Sequence, residues 1–202
     1  YAGENATKED VERLRVQLNL DKPLLTQYSL FIKDLSQGDL GTSLRTREPV
    51  WNEIKNRVPQ TLKLAVTGMI IAVLIGVPAG LFSALKRYSF LDHLISVFTL
   101  IGVAMPVYWL GLMLIVVFAV KLQWFAAAGS QEGLRSIVLP SITLAAFSMA
   151  LITRMTRASV LDILSQEYVT TARAKGQKES RVITRHVLRN ALIPVITVVG
   201  LQ

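Results

Sequence analysis

Three stretches of this 202-residue chain contain no Asp, Glu, Lys or Arg over lengths that few folds can use. They are residues 64–85, 94–120 and 136–153, which is 22, 27 and 18 residues. At roughly 1.5 Å per residue, a helix of each length crosses all or most of a ~30 Å hydrocarbon core. Lipid offers no partner for backbone N–H and C=O groups, so segments of this length satisfy their own backbone by forming helices. The mean hydropathy of +0.43 and the 51% share of hydrophobic residues agree with this. The expected class is an all-α integral membrane protein.

Each apolar run is punctuated. Gly76, Pro78 and Gly80 interrupt the first, Met105-Pro106 the second, and Pro140 stands near one end of the third. In a bundle, glycine permits close helix approach and proline permits a kink. Pro78 and Pro106 are the expected kinks. A carbonyl freed there either lines a pathway or is satisfied by a neighbouring helix. Trp124 and Phe125 fall where an interfacial aromatic is expected. Arg154 and Arg157 follow the third run and are expected to snorkel to the membrane surface. A fourth apolar segment begins at Ala191 and reaches Gln202.

Residues 1–59 are too polar to span. A helix is expected over 8–20, stopped by Asp21-Lys22-Pro23, and another over 24–35. A turn follows at 38–43, and Glu48-Pro49-Val50 opens a helix toward Val58. The chain starts without Met inside this polar part and stops inside an apolar one, so it is expected to be the middle of a longer polypeptide.

The net charge of +8 is unevenly placed. Residues 1–59 hold nine Lys/Arg and nine Asp/Glu, whereas 154–190 hold eight and three. A surplus beside apolar runs marks cytoplasmic loops, so 160–190 is expected inside, 121–135 outside, 86–92 inside and 1–59 outside. Nucleic acid is not an expected partner. Cysteine is absent, which excludes disulfides and thiolate chemistry in this chain. No Gly-x-x-x-x-Gly-Lys-Ser/Thr loop is present, so no ATP binding is expected here. His93 and His186 each lack a second ligand at helical spacing, and no catalytic acid–base or nucleophile set is spelled out. The absence of charge within the long runs counts against an ion-coupled secondary carrier.

The polar stretch between the third and fourth runs is the informative one. Glu167, Tyr168, Thr170, Thr171, Ala172, Arg173, Ala174 and Lys175 read as a short helix, and Gly176 as its left-handed stop. A second helical pattern runs from Ser180 to Leu192 and carries Arg185, His186, Arg189 and Asn190, and the stretch closes at Pro194. Thr-Ala-Arg-Ala-Lys-Gly at 171–176 and Arg-His-Val-Leu-Arg-Asn-Ala-Leu-Ile-Pro at 185–194 resemble the coupling-loop signature of bacterial ABC-importer permeases. The branch they resemble transports dipeptides, oligopeptides, glutathione and nickel. The general signature is Glu-Ala-Ala, three residues, Gly, nine residues, Ile-x-Leu-Pro. Thr170 and Thr171 stand where its Glu and first Ala would be, and Pro194 comes late. The turn passage Gly38-Asp39-Leu40-Gly41-Thr42-Ser43 is also similar to that branch.

The resemblance implies a type I ABC importer transmembrane domain over 60–202, lacking the first span and the C-terminal spans. Its spans would be about 64–85, 94–120, 136–156 and a truncated 191–202, with an extracytoplasmic, mostly helical segment at 1–59. The coupling residues would be Glu167, Tyr168, Thr171, Ala172, Arg173, Ala174, Lys175, Gly176, Arg185, His186, Asn190 and Pro194. Small residues at 172, 174 and 176 would let the short helix seat in a groove of an ATPase. Arg173, Lys175 and Arg181 would meet acidic residues at the rim of that groove. The implied partners are a second permease, two cytoplasmic ATPases holding ATP and Mg, an external substrate-binding protein, and lipid. The implied location is the bacterial inner membrane. Small peptides are the expected cargo, with nickel or a metal chelate as the alternative.

Overall fold

The computed structural model describes residues 7–43, 45–127 and 133–202. The parts of the expected outer segments at 1–6 and 128–132 lie outside the described residues, as do the side chains of Val11 and Leu14. Among the described residues every extended element is a helix, beside one isolated bridge between Thr42 and Pro49. The chain divides into two compact units, Tyr1–Thr61 and Leu62–Gln202.

In the first unit, α1 spans Lys8–Gln17 and α2 spans Leu24–Ser36. The helix expected over 8–20 therefore ends three residues early, and proline is not what stops it. Asn19 takes φ 57, and the N–H groups of Asn19 and Leu20 donate to Val16 O at 3.0 Å and Arg15 O at 2.8 Å. Asparagine tolerates this left-handed conformation and so closes the helix before the proline is reached. Pro23 instead caps α2, where its missing N–H is no loss; its carbonyl accepts from Thr26 and Gln27 at 2.9 and 3.0 Å. Asp39 Oδ1 accepts from the Gly41 N–H at 2.8 Å, and Gly41 O from the Val50 N–H at 3.0 Å, which leads the chain into α3.

α3 runs Val50–Leu85, 36 residues. The helix expected toward Val58 and the span expected from 64 are one element. It continues through Pro59 and through Pro78, an exposed position, so neither proline ends the helix. Each proline removes one donor, and a ladder this long retains the bonds on either side.

In the second unit α4 (Phe90–Ala104) and α5 (Val107–Leu114) form a broken pair, and α5 continues as a π-helical turn over Ile115–Lys121. The two halves are bent by 105°. The cause is local. Met105, preceding proline, is pushed to φ −77 and ψ 129, and Pro106 caps α5 with its carbonyl 3.0 Å from the Trp109 N–H. The uncharged run 94–120 is thus two helices meeting at Pro106 rather than one straight rod. α6 spans Leu134–Leu164 with Pro140 inside it. After a two-residue turn comes α7 (Glu167–Ala174), then α8 (Glu179–Arg181), a π-helical segment Val182–Leu188 and α9 (Arg189–Gly200). Glu179–Gly200 is one continuous helix long enough to cross a membrane, as are Val50–Leu85 and Arg135–Leu164. Pro194 lies inside α9 and does not close the polar stretch, which was the expectation.

α3 and α6 pack along a seam of small residues. Gly68, Ala72, Gly76, Gly80 and Ala84 recur every fourth position of α3, and all are buried. A Cβ on Gly80 would stand 2.5 Å from Thr153 O and 2.6 Å from Thr156 Cβ, so the backbones touch there. Toward the middle of the bundle Ala72, Ala145, Ile152 and Val195 share one core. Past Gly80, Ala84 and Val160 share a second core with Val169, Ala172, Val182, Val187 and Ala191.

Gly80→Ala should therefore lower stability by about 1–3 kcal/mol through overpacking against α6 backbone. Gly200→Ala, whose Cβ would meet nothing within 4 Å, should leave stability unchanged. Thermal unfolding of the purified protein in detergent compares the two; equal midpoints would mean the seam relaxes freely.

Candidate functional site

The second core fixes α7. An eight-residue helix does not persist alone in water, so its order comes from what it packs on. Val169 is fully buried and Ala172 retains only 7% exposure, both against Ala84, Val160, Val182, Val187 and Ala191 of the same chain. The smallness of Ala172 thus serves packing inside this chain. Glu167, Tyr168, Thr171, Arg173, Ala174, Lys175 and Gly176 are exposed.

Polar contacts tie α7 to the helix that follows. Gly176 takes φ +73, with its N–H 2.9 Å from Arg173 O, so it turns the chain as the sequence pattern requires. Arg173 donates from Nε and Nη2 to the two carboxylate oxygens of Glu179 at 3.1 and 2.6 Å. These bonds push the Arg173 guanidinium further above its ordinary pKa, so it stays charged. Arg173 was expected to meet an acidic rim on another protein; its partner is inside this chain. His186 Nε2 lies 3.1 Å from Gln177 Oε1. Asn190 Nδ2 donates to Tyr168 Oη at 3.0 Å and to His186 O at 2.9 Å. Tyr168, His186 and Asn190 are therefore brought together, and the Arg173–Glu179 pair forms a second, separate tie. Arg185 is exposed away from these bonds, and Pro194 lies further along, within α9.

One polar constellation is not spelled out by the sequence. Arg157 was expected to snorkel; instead its guanidinium bonds Asp92, Nε to Oδ1 and Nη2 to Oδ2, each at 2.9 Å. Arg157 Nε also donates to Ser83 Oγ at 3.0 Å, and Ser83 Oγ donates to Asp92 Oδ1. Asp92 is 3% exposed and accepts in addition from the Tyr88 N–H at 3.0 Å. The cluster joins the end of α3, the start of α4 and the last third of α6. Its one sequence signal was Ser89-x-x-Asp92, a helix-opening pattern in which Ser89 Oγ accepts from the Asp92 N–H at 3.3 Å. Nothing in the spacing connected Asp92 to an arginine 65 residues away.

An all-α bundle with a broken α4–α5 pair and a braced polar hairpin between two apolar helices can be compared with known proteins. The family described as binding-protein-dependent transport system inner membrane component matches residues 76–202, more than half of the chain. The chain belongs to this family. It is a multi-pass inner-membrane permease component with the type I ABC importer membrane fold. The corresponding N-terminal membrane component family matches residues 1–65 of the permease. The dipeptide transport system permease protein DppB of Alkalihalophilus pseudofirmus is 40% identical over 99% of this chain and 68% of its own length. The di/tripeptide transport system permease protein DppB of Pseudomonas aeruginosa is 42% identical, covering 92% of this chain and 63% of its own. The glutathione transport system permease protein GsiC of Escherichia coli is 43% identical, covering 100% and 65%. This permease chain thus spans about two thirds of the length of the curated relatives it matches.

Arg157→Met leaves Asp92 buried without its counter-charge and should cost about 3–5 kcal/mol. Asn190→Ala removes the ties to Tyr168 and to His186 O and should cost about 1–2 kcal/mol. Denaturation midpoints of the two variants, read on the same preparation as the native permease, should fall in that order; a larger loss from Asn190→Ala would contradict the ranking.

Proposed function

We propose that this chain is the permease subunit of an ATP-driven importer of small peptides, and that the exposed face of α7 is where a partner ATPase acts on it. The observation that carries the reading is the division of α7 into two faces. Val169 and Ala172 anchor it in the permease core, while Thr171, Ala174 and Lys175 face outward beside Gly176. A short helix held on one side and open on the other moves as a unit with the core behind it. The same residues carry the coupling-loop resemblance at 171–176. In this reading 160–190 lies in the cytoplasm and 1–59 outside. ATP and Mg sit on two partner ATPases, consistent with a chain that spells no phosphate-binding loop. An external substrate-binding protein, to which the family description points, and a second homologous permease complete the proposed assembly.

The cargo assignment rests on the relatives. Their names specify dipeptides, di- and tripeptides, and glutathione, itself a small peptide. This supports peptide over nickel or metal-chelate cargo.

The test uses the full-length permease expressed with its partner subunits. Ala174→Glu adds volume and charge to the outward face and should abolish peptide uptake and ATPase co-purification at unchanged permease levels. Ala172→Glu instead buries a charge in the chain's own core and should lower the amount of permease itself. Arg173→Ala should do less, since exposed ion pairs contribute about 1 kcal/mol or below. Normal uptake and co-purification in Ala174→Glu would remove α7 as the docking surface.

A further inference from the structure

Two devices sit side by side at one end of the bundle, and one of them has an open face. The α7 hairpin rests on Ala84 and Val160. Ser83 immediately precedes Ala84, and Arg157 precedes Val160 by one turn. The Ser83–Asp92–Arg157 cluster therefore abuts the floor on which α7 stands. Asp92 lies in the first turn of α4, the helix that ends at the Met105–Pro106 bend.

We infer that Asp92 and Arg157 are positioning residues that deliver movement of α7 to the broken helix α4–α5. This rests on the docking role of α7 proposed above and adds the connection by which it would reach the pair of helices bent at Pro106.

The geometry favours this pair over the apolar contacts around it. α4 also meets α6 at Gly102, where a Cβ would lie 3.3 Å from Ala150 Cβ, but no hydrogen bond orients that contact. The Asp92–Arg157 contact is different. Two parallel hydrogen bonds fix distance and orientation together, which apolar packing does not. Ser83 holds the same carboxylate from α3, so a shift of α6 relative to α3 is transmitted to the first turn of α4. Simple stabilisation is a poor reason for such a cluster. A buried ion pair is commonly matched or exceeded by apolar residues of similar volume. The cluster's distinctive property is orientation, not strength.

That contrast supplies the experiment. In the full-length permease assembled with its ATPases and binding protein in proteoliposomes, peptide uptake per ATP hydrolysed is measured. The variants are Asp92→Asn and the triple replacement Ser83→Ala, Asp92→Leu, Arg157→Met. The triple variant removes both charges, so no unpaired ion is left buried, and assembly with the ATPases should persist. Uptake per ATP should fall about tenfold in the triple variant and by less in Asp92→Asn. A thiol probe on Val107→Cys should lose its nucleotide-dependent change in labelling in the triple variant, while the change persists when the cluster is intact. A triple variant that keeps both native uptake per ATP and the labelling change overturns the inference and leaves docking at α7 intact. Failure of the ATPases to co-purify with the native permease overturns the docking reading, and this inference with it. Loss of assembly in the triple variant, with native coupling in Asp92→Asn, would make the cluster a staple for folding and also overturn the inference.

Discussion

The contact on which the rest depends is the one between the backbones of α3 and α6 at Gly80. In lipid, apolar side chains gain little by leaving the solvent for each other, so helices associate where their surfaces allow close van der Waals approach. A glycine facing Thr153 O and Thr156 supplies that approach. Once the two helices are this close, Ser83 comes within 3.0 Å of Arg157 Nε one turn further along. Ala84 and Val160 then share one core, and α7 has a floor.

The buried ion pair is a consequence of that approach and of a second constraint. A charge near the hydrocarbon region is costly unless it is paired and fully hydrogen-bonded. Asp92 meets this with Arg157, Ser83 and the Tyr88 N–H. Three helices contribute to one carboxylate, so none of them can rotate independently. The outward face of α7 needs such rigidity behind it if load applied there is to reach the bundle.

Particular elements were legible from sequence and others were not. The break at Met105–Pro106 was readable because it follows from chain geometry local to two residues. The left-handed turn at Gly176 was readable for the same reason. The end of α1 was misjudged because Asn19 and Pro23 both signal a stop and the earlier one acts first. The inward face of α7 was not legible because Ala172 and Ala174 look alike in a string of letters, while one is buried and the other exposed. The internal partner of Arg173 was missed because a turn at Gly176 folds Glu179 back onto it.

By itself, the sequence determined that the chain is helical and membrane-embedded, where its apolar runs lie, and where a polar helix–glycine–helix stretch interrupts them. Those properties depend on backbone hydrogen bonding in lipid and on local propensity, and both are carried within a few turns of chain. The tertiary structure alone decided which face of α7 is free, which arginine is charge-paired, and that Ser83, Asp92 and Arg157 meet. These are contacts between residues up to 74 positions apart. They arise from the crossing of helices, which periodicity along any one helix does not encode.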